Sequence, residues 1–387
     1  MSRVFKIEKQ HSEIVSKGTF FKVLKYLDSK DPETPVLLLD GDKIREKADL
    51  IGKGIKGSRV FYAVKAHPAK EVIQLLDELG TGFEIASEGE LRVLATLGVS
   101  PDRIITSNPM KSYKFLREAA EYGVNYFAFD TTVEVDKMAE MVPGAKVYLR
   151  LAVPNEGSEW PLSKKYGAEL DNATELLLYA RQKGLDPVGI TFHVGSQCTN
   201  VYNWNNAIYK ARQLWDTLAE QGLQLKMLNI GGGYPINYTK SVVGIEAIEK
   251  NINKLLEDNF PEGPEIFLEP GRAFVGDAGV FVSLVNGKAD RVGERWVYLD
   301  VGVFNGLMES VGGIKYSYVL EDRPDMGAKI PFTVSGPSCD SFDVIDKDVY
   351  LSEPVVGSRV LVLSAGAYTI SYASEFNGFS IPKTIII

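Results

Sequence analysis

Between residues 35 and 278 the chain alternates between two hydrophobic patterns. Short runs rich in β-branched and aromatic residues recur at 60–65, 82–86, 103–107, 126–130, 146–152, 189–194, 227–230 and 265–268. Between them, segments such as 69–79, 88–97, 112–122, 173–183, 204–220 and 244–258 carry apolar residues three and four apart, the spacing of a helix with one buried face. Eight such strand–helix units over roughly 240 residues predict an α/β fold, a (β/α)8 TIM-like barrel, whose usual length is about 250 residues. A doubly wound open sheet is the alternative, but the first strand is not followed by the Gly-x-Gly-x-x-Gly turn of a dinucleotide site.

After Ala278 the texture changes. Strand-like runs at 280–285, 295–301, 330–335, 359–364 and 381–387 are separated by Gly, Pro and Asp, with little helical periodicity. The expected organisation is a barrel over 36–278 and a C-terminal β domain over 279–387. Residues 1–35, which contain a strand-like run at Thr19–Leu24, are expected to join that β domain.

Composition narrows the partners. The 387 residues hold 43 Lys+Arg against 51 Asp+Glu, a net charge of −8, with no long basic run. That argues against nucleic acid or an anionic membrane as the main partner and leaves a small-molecule substrate. Cys198 and Cys339 are the two cysteines and form no Cys-x-x-Cys pair, so neither a disulfide framework nor a metal site of the usual zinc spacing is expected. The first ten residues, MSRVFKIEKQ, lack the apolar run of a signal peptide, and no stretch approaches the ~18–20 apolar residues of a membrane span. A cytoplasmic protein is expected, with the Asn-x-Thr triplets at Asn172 and Asn237 as chance matches.

In a barrel enzyme the chemistry sits at the C-terminal ends of the strands. Those ends read Lys65, Glu84, Asn108, Asp130, Arg150, His193, Gly231-Gly232-Gly233 and Glu269-Pro270-Gly271-Arg272. A structural barrel has no need of so many ionisable groups in a layer where desolvation is costly. Lys65, within Phe-Tyr-Ala-Val-Lys-Ala, reads either as a strand-end lysine reaching solvent or as an amine whose pKa the apolar run lowers, suited to a Schiff base. The glycines can expose backbone N–H groups to an anion, and Arg272, one strand on, can bind the same phosphate bidentately. His193 reads alone as a satisfied core histidine, but Ser196 just beyond it is a further phosphate ligand. An amine, a phosphate cradle and a carboxylate together point to pyridoxal phosphate: aldehyde on Lys65, phosphate on the glycines and Arg272, ring nitrogen on Glu269.

At these residues the chain resembles the barrel-fold (fold type III, alanine racemase-like) pyridoxal-phosphate decarboxylases of basic amino acids. The similarity runs from about Val36 to Phe379. It includes Tyr62-Ala63-Val64-Lys65, Gly80-Thr81-Gly82-Phe83-Glu84, Phe192-His193-Val194-Gly195-Ser196, Gly336-Pro337-Ser338-Cys339-Asp340, Gly366-Ala367-Tyr368 and Phe376-Asn377-Gly378-Phe379, besides the glycine and Glu269–Arg272 loops. The resemblance implies that Lys65 carries the cofactor, His193 stacks on its ring and Glu269 pairs with its nitrogen. Gly231, Gly232, Gly233, Gly271, Arg272, Ser196 and Tyr368 would form the phosphate site, with Glu84 and Arg150 as supporting polar residues. Glu84 departs from the shorter aspartate of eukaryotic relatives.

It further implies a homodimer in which the β domain supplies part of the other subunit's site. Asp340 would bind the distal ammonium of the substrate, and Cys339 would help return a proton to Cα. Phe304 and Glu309 lie in the segment expected to contact substrate, and Lys165 and Asp343 match an ion pair across the interface. The reaction implied is decarboxylation of L-ornithine to putrescine, a step of polyamine biosynthesis, with conversion of L-lysine to cadaverine as a second activity. The alternatives are a lysine-preferring enzyme, a diaminopimelate decarboxylase, which Asp340 argues against, and a non-catalytic regulator of the same fold.

Overall fold

The structure is a computed structural model and describes residues 9–160, 165–322 and 328–387. Two short helices, α1 (Lys9–Ile14) and α2 (Lys17–Lys30), come first. The run Thr19–Leu24, expected to be a strand, lies inside α2. Its aromatic and β-branched content suggested a strand, but Phe20, Val23, Leu24 and Leu27 recur at helical spacing and are buried, and Ser16 caps the start by accepting the Thr19 N–H.

Strand β1 (Val36–Leu39) and helix α3 (Gly41–Gly54) lead into the barrel. Its eight parallel strands are β2 (Arg59–Ala63), β3 (Gly82–Glu84), β4 (Ile104–Ile105), β5 (Tyr126–Phe129), β6 (Lys146–Arg150), β8 (Asp186–Thr191), β10 (Met227–Asn229) and β11 (Glu265–Leu268). Between β6 and β10, β7 (Ser158–Trp160) and β9 (Ser196–Cys198) form a small antiparallel pair above the rim. The sheet runs β4-β3-β2-β11-β10-β8-β6-β5, and a parallel bridge from Thr106 to Phe127 closes it. The expected eight-strand barrel is therefore present.

Helices α4 (Lys70–Glu78), α5 (Glu88–Thr96), α6 (Tyr113–Tyr122), α7 (Thr132–Met141), α8 (Leu170–Gln182), α9 (Tyr202–Glu220) and α10 (Ile245–Asn259) surround it. The last one, α11 (Arg272–Val275), is only four residues long. Helix α3 packs against α4, α10 and α11 and so completes the outer ring from the other end of the chain. Helices α3 and α7 went unread in the sequence; each is marked by its cap, Asp40 and Thr131. Inside the barrel Phe61, Ile105, Ala128, Tyr148, Val188, Met227 and Phe267 form a separate buried cluster, a floor that closes the mouth from below.

The second sheet contains β12 (Gly279–Arg291), β13 (Glu294–Leu299), β14 (Ser317–Leu320), β15 (Ile330–Ser335), β16 (Val344–Leu351), β17 (Arg359–Leu363) and β18 (Lys383–Ile386). Strand β1 belongs to this sheet, antiparallel to β12 and parallel to β18, not to the barrel as the expected boundary at residue 36 implied. Its four residues are all buried apolar, a pattern that either sheet could have used. Among the described residues no helix is long and apolar enough to cross a membrane.

Candidate active site

A cavity of about 480 Å³ opens at the C-terminal mouth of the barrel. From the expected set it is lined by Lys65, Glu84, Arg150, Lys165, His193, Ser196, Glu269 and Tyr368. Most of them come from the ends of barrel strands, whereas Lys165 comes from the loop before α8 and Tyr368 from the segment after β17 of the second sheet. Barrel closure and docking of the second sheet together assemble the cavity.

Lys65 follows β2 in a single 3-10 turn, Val64–Ala66. The turn is fixed from both sides: the Ala63 N–H donates to Pro270 O and the Tyr368 N–H to Ala66 O. The Lys65 ammonium lies 2.6 Å from Glu84 Oε2. Burial works against its charge, but Glu84, Tyr368 and Glu269 outweigh burial and hold the pKa above the ordinary lysine value. This corrects the lowered pKa that the apolar run alone suggested. The run lines the strand; the carboxylates come from neighbouring strands.

Glu269 directly follows β11 and is buried. Its Oε1 accepts hydrogen bonds from Ser107 Oγ and Asn229 Nδ2, which fix the carboxyl against the floor. Burial, with the charge of Glu84 adding to it, raises its pKa to about 7 against the opposing pull of Lys65 and the two donors. His193 is held neutral: burial and the charges of Arg150 and Lys65 push its pKa down to about 3. Its Nδ1 accepts the Gly195 N–H at 3.0 Å, so the ring proton sits on Nε2. Asn155 Nδ2 donates to the carbonyl of the same histidine at 3.0 Å.

At the other end lie the glycine turn, Ser196, Tyr368 and Arg272. Gly233 has φ +100°, and a Cβ there would stand 2.6 Å from the Gly195 carbonyl, so the turn requires glycine. Gly231 also has positive φ, its N–H bonded to Asn229 Oδ1 at 2.9 Å, and Gly232 lies against the Glu269 carbonyl. Gly271 lets the Arg272 turn approach Ala63, Ala66 and the Tyr368 hydroxyl. Arg272 sits directly behind Ser196 and Tyr368: its Nε and Nη2 reach Ser196 Oγ at 3.3 and 3.1 Å, and its guanidinium lies 4.7 Å from the Tyr368 ring centre.

Within one chain, three further expected residues are placed as follows. Glu309 does not line the cavity; both its oxygens lie 2.7 Å from Arg272 nitrogens in a buried pair. Asp343 is buried, accepts the N–H groups of Val303 (2.7 Å) and Ser338 (2.9 Å), and so ties the loop of Phe304 to the turn of Cys339. Lys165 is at the rim, 5.0 Å from the Tyr166 ring.

Cys339 and Asp340 do not reach the cavity of their own chain. They sit on an exposed face of the β domain, with Cys339 Sγ 3.6 Å from Asn377 Oδ1. Phe304 packs there against Phe376 (4.4 Å) and Phe342 (6.1 Å), and the latter two are exposed.

Ser107, Asn229 and Tyr238 escaped sequence reasoning. Ser107 and Asn229 were legible in principle: Ser107 stands just past β4 beside Asn108, and Asn229 ends β10 two residues before Gly231. Tyr238, whose hydroxyl bonds to Arg272, lies in an irregular segment with no periodicity to place it.

An amine beside a carboxylate, a buried carboxyl poised near neutrality, a neutral imidazole, and an arginine behind a glycine turn and two hydroxyls match the aldehyde, ring nitrogen, ring face and phosphate of pyridoxal phosphate. The residues fit the group. The class follows from fold and site together: residues 41–276 match the pyridoxal binding domain of the pyridoxal-dependent decarboxylases, and the chain belongs to that family, with its cofactor and barrel-plus-β-domain fold. Among individual relatives, it is 39% identical to a lysine/ornithine decarboxylase of Selenomonas ruminantium, over 94% of this chain and 92% of that one. It is 35% identical to antizyme inhibitor 2 of Xenopus laevis, over 88% of this chain and 77% of that one. The crystal structure of a lysine/ornithine decarboxylase from Vibrio vulnificus complexed with cadaverine superposes with a TM-score of 0.87 at 32% identity, covering 97% of this chain and all of that one. These findings support decarboxylation of a basic amino acid.

Proposed function

We propose that this chain is an ornithine decarboxylase that also accepts lysine, working as a homodimer whose active sites are shared between subunits. The observation that carries the catalytic reading is the single cavity in which Lys65, Glu269 and His193 converge in front of Ser196 and Arg272. When bound, pyridoxal phosphate supplies an electron sink for the pair released as the Cα–carboxylate bond breaks.

The chain's own residues do the rest. Glu84, 2.6 Å from the Lys65 amine, is placed to take the proton that this amine must lose before it can act as a nucleophile. Glu269, pinned by Ser107 and Asn229, keeps a proton available at the position of the ring nitrogen. The neutral ring of His193 offers an uncharged face, so no cation opposes a protonated pyridine stacked on it. Arg272, Ser196 and Tyr368 fix the far end. The Phe61–Phe267 floor shuts out water from below.

Cys339 and Asp340 lie outside the barrel cavity of their own chain, on a β-domain face with exposed Phe342 and Phe376 beside them. An apolar patch of this kind is covered in an assembly. A second copy docked there would bring Asp340 to a distal ammonium and Cys339 to Cα. The resemblance to a lysine/ornithine decarboxylase supports the choice of substrates.

The similarity to an antizyme inhibitor makes a non-catalytic regulator the competing reading, and Lys65, His193, Arg272, Cys339 and Asp340 speak against it. The deciding experiment measures CO₂ release from ornithine, lysine, arginine and diaminopimelate with the holoenzyme and with Lys65→Ala. Release from ornithine, abolished by Lys65→Ala, is expected. Failure to release CO₂ from either ornithine or lysine defeats the proposal.

A further inference from the structure

We propose that Glu309 is a positioning residue for the phosphate site: from the β domain it presets the orientation and balances the charge of Arg272, and it does not contact substrate. The inference rests on the reading that Arg272 holds the cofactor's phosphate.

Glu309 lies in a 3-10 turn, Met308–Gly312, between β13 and β14, whereas Arg272 opens α11 behind the barrel rim. Both side chains are only 3% exposed. The carboxylate meets the guanidinium end-on, Oε2 on Nη1 and Oε1 on Nη2, each at 2.7 Å. A guanidinium has five N–H donors in a rigid plane. Two are taken by Glu309 and a third, on Nη1, by the Tyr238 hydroxyl. The remaining two, on Nε and Nη2, converge on one acceptor, Ser196 Oγ, which lines the cavity.

One hydroxyl oxygen between two donors is poorly matched, but two oxygens of a phosphate fit that edge bidentately. Tyr368, 4.7 Å from the guanidinium, and Tyr238, 5.7 Å away, confine its plane. With the plane confined and the far edge occupied by Glu309, the Nε–Nη2 edge is turned toward Ser196, on the side of the cavity. Glu309 thus chooses which edge the anion meets.

The pair also has an energetic consequence. A buried guanidinium without a counter-ion is strongly unfavourable, and before the cofactor binds Glu309 is its counter-ion. Once a phosphate lies on the opposite edge, the cation has a second partner and depends less on the first. Removal of Glu309 should therefore harm the cofactor-free protein more than the loaded one. The turn that carries Glu309 is tied into the barrel a second time, since Gly312 fits against the Trp160 ring with no room for a Cβ. The phosphate end of the site is built by both domains.

The test compares melting temperatures of wild type and Glu309→Gln, each stripped of cofactor and then saturated with pyridoxal phosphate. Glu309→Gln is expected to lower the cofactor-free melting temperature by about 5 °C and the loaded one by clearly less. An unchanged cofactor-free melting temperature, with a raised KM for ornithine, would mean that Glu309 contacts substrate and overturns the proposal. If Glu309→Gln does not fold, the double variant Arg272→Met with Glu309→Met decides: a folded cofactor-free double variant supports the pairing, and an unfolded one overturns it. The same double variant tests the underlying reading separately, through its affinity for pyridoxal phosphate relative to pyridoxal. A fall of about tenfold in that ratio is expected from loss of a charge-assisted phosphate contact. An unchanged ratio would refute Arg272 as the phosphate ligand while leaving the stability result intact.

Discussion

Glu84 Oε2, 2.6 Å from Lys65 Nζ, controls the protonation of the amine on which the chemistry depends. An apolar strand end would lower that lysine's pKa, but Glu84, Tyr368 and Glu269, brought in from elsewhere in the fold, raise it instead. Glu84→Gln removes the nearest of them. The amine should then lose its proton at lower pH, and the pH at which the stripped protein captures pyridoxal phosphate half-maximally should move down by about one unit. Stopped-flow absorbance across pH measures this, and an unmoved midpoint would show that Glu84 does not set the charge. Ser107 offers a second check, since its hydroxyl and Asn229 are the donors that oppose the rise in the Glu269 pKa. Ser107→Ala should leave Glu269 protonated to higher pH, shift the corresponding limb of the pH–rate profile of kcat upward, and leave KM little changed.

Helix α10 meets α3 through a carboxyl with an unpartnered buried oxygen. Glu249 is buried against Gly54, where a Cβ would collide with its carboxylate, and its Oε1 makes no hydrogen bond. Burial, with Glu246 adding to it, raises its pKa to about 8, against an ordinary 4.5. The folded state therefore binds this proton more tightly than the unfolded state. Its contribution to stability is fully present below about pH 4.5 and is lost as pH rises through 8. Glu249→Gln should flatten the decline in stability between pH 5 and 8. Urea unfolding at both pH values measures it, and an identical slope in the variant would contradict the assignment. The helix caps act on a smaller scale: Thr131→Ala, which removes the acceptor of the Glu134 N–H at the start of α7, should cost about 1 kcal/mol.

At the scale of the whole molecule, Lys65 and Cys339 lie on different domains and do not share a cavity within one chain. If two copies complete each other's sites, Lys65→Ala and Cys339→Ala are each inactive alone, but their mixture regains activity. Random re-pairing gives half of the dimers as heterodimers with one intact site of two, hence about a quarter of wild-type activity. Recovery should appear in an equimolar mixture after dissociation and reassociation. No recovery, with both variants folded, would place the complete site within one chain.

The barrel was legible because eight apolar runs and the amphipathic segments between them impose period two and period 3.6 on the sequence, and those periods survive whatever packs around them. The strand-end residues were legible for the same reason: once the strands are placed, their C-terminal ends are known. The assignment of Val36–Leu39 to the second sheet, the helix at Thr19–Leu24 and the raised pKa of Lys65 were not. Each depends on what a segment meets across space: β12 and β18 for the first, the buried face of α2 for the second, Glu84, Tyr368 and Glu269 for the third. The turning of Glu309 onto Arg272 is of the same kind, since 37 residues separate them and nothing in either local pattern points to the other. Sequence by itself determined the alternation of the barrel, the cofactor class and most of the strand-end residues available to the chemistry. Tertiary structure decided their charges and partners, because electrostatic energy depends on distances between side chains that chain order does not fix.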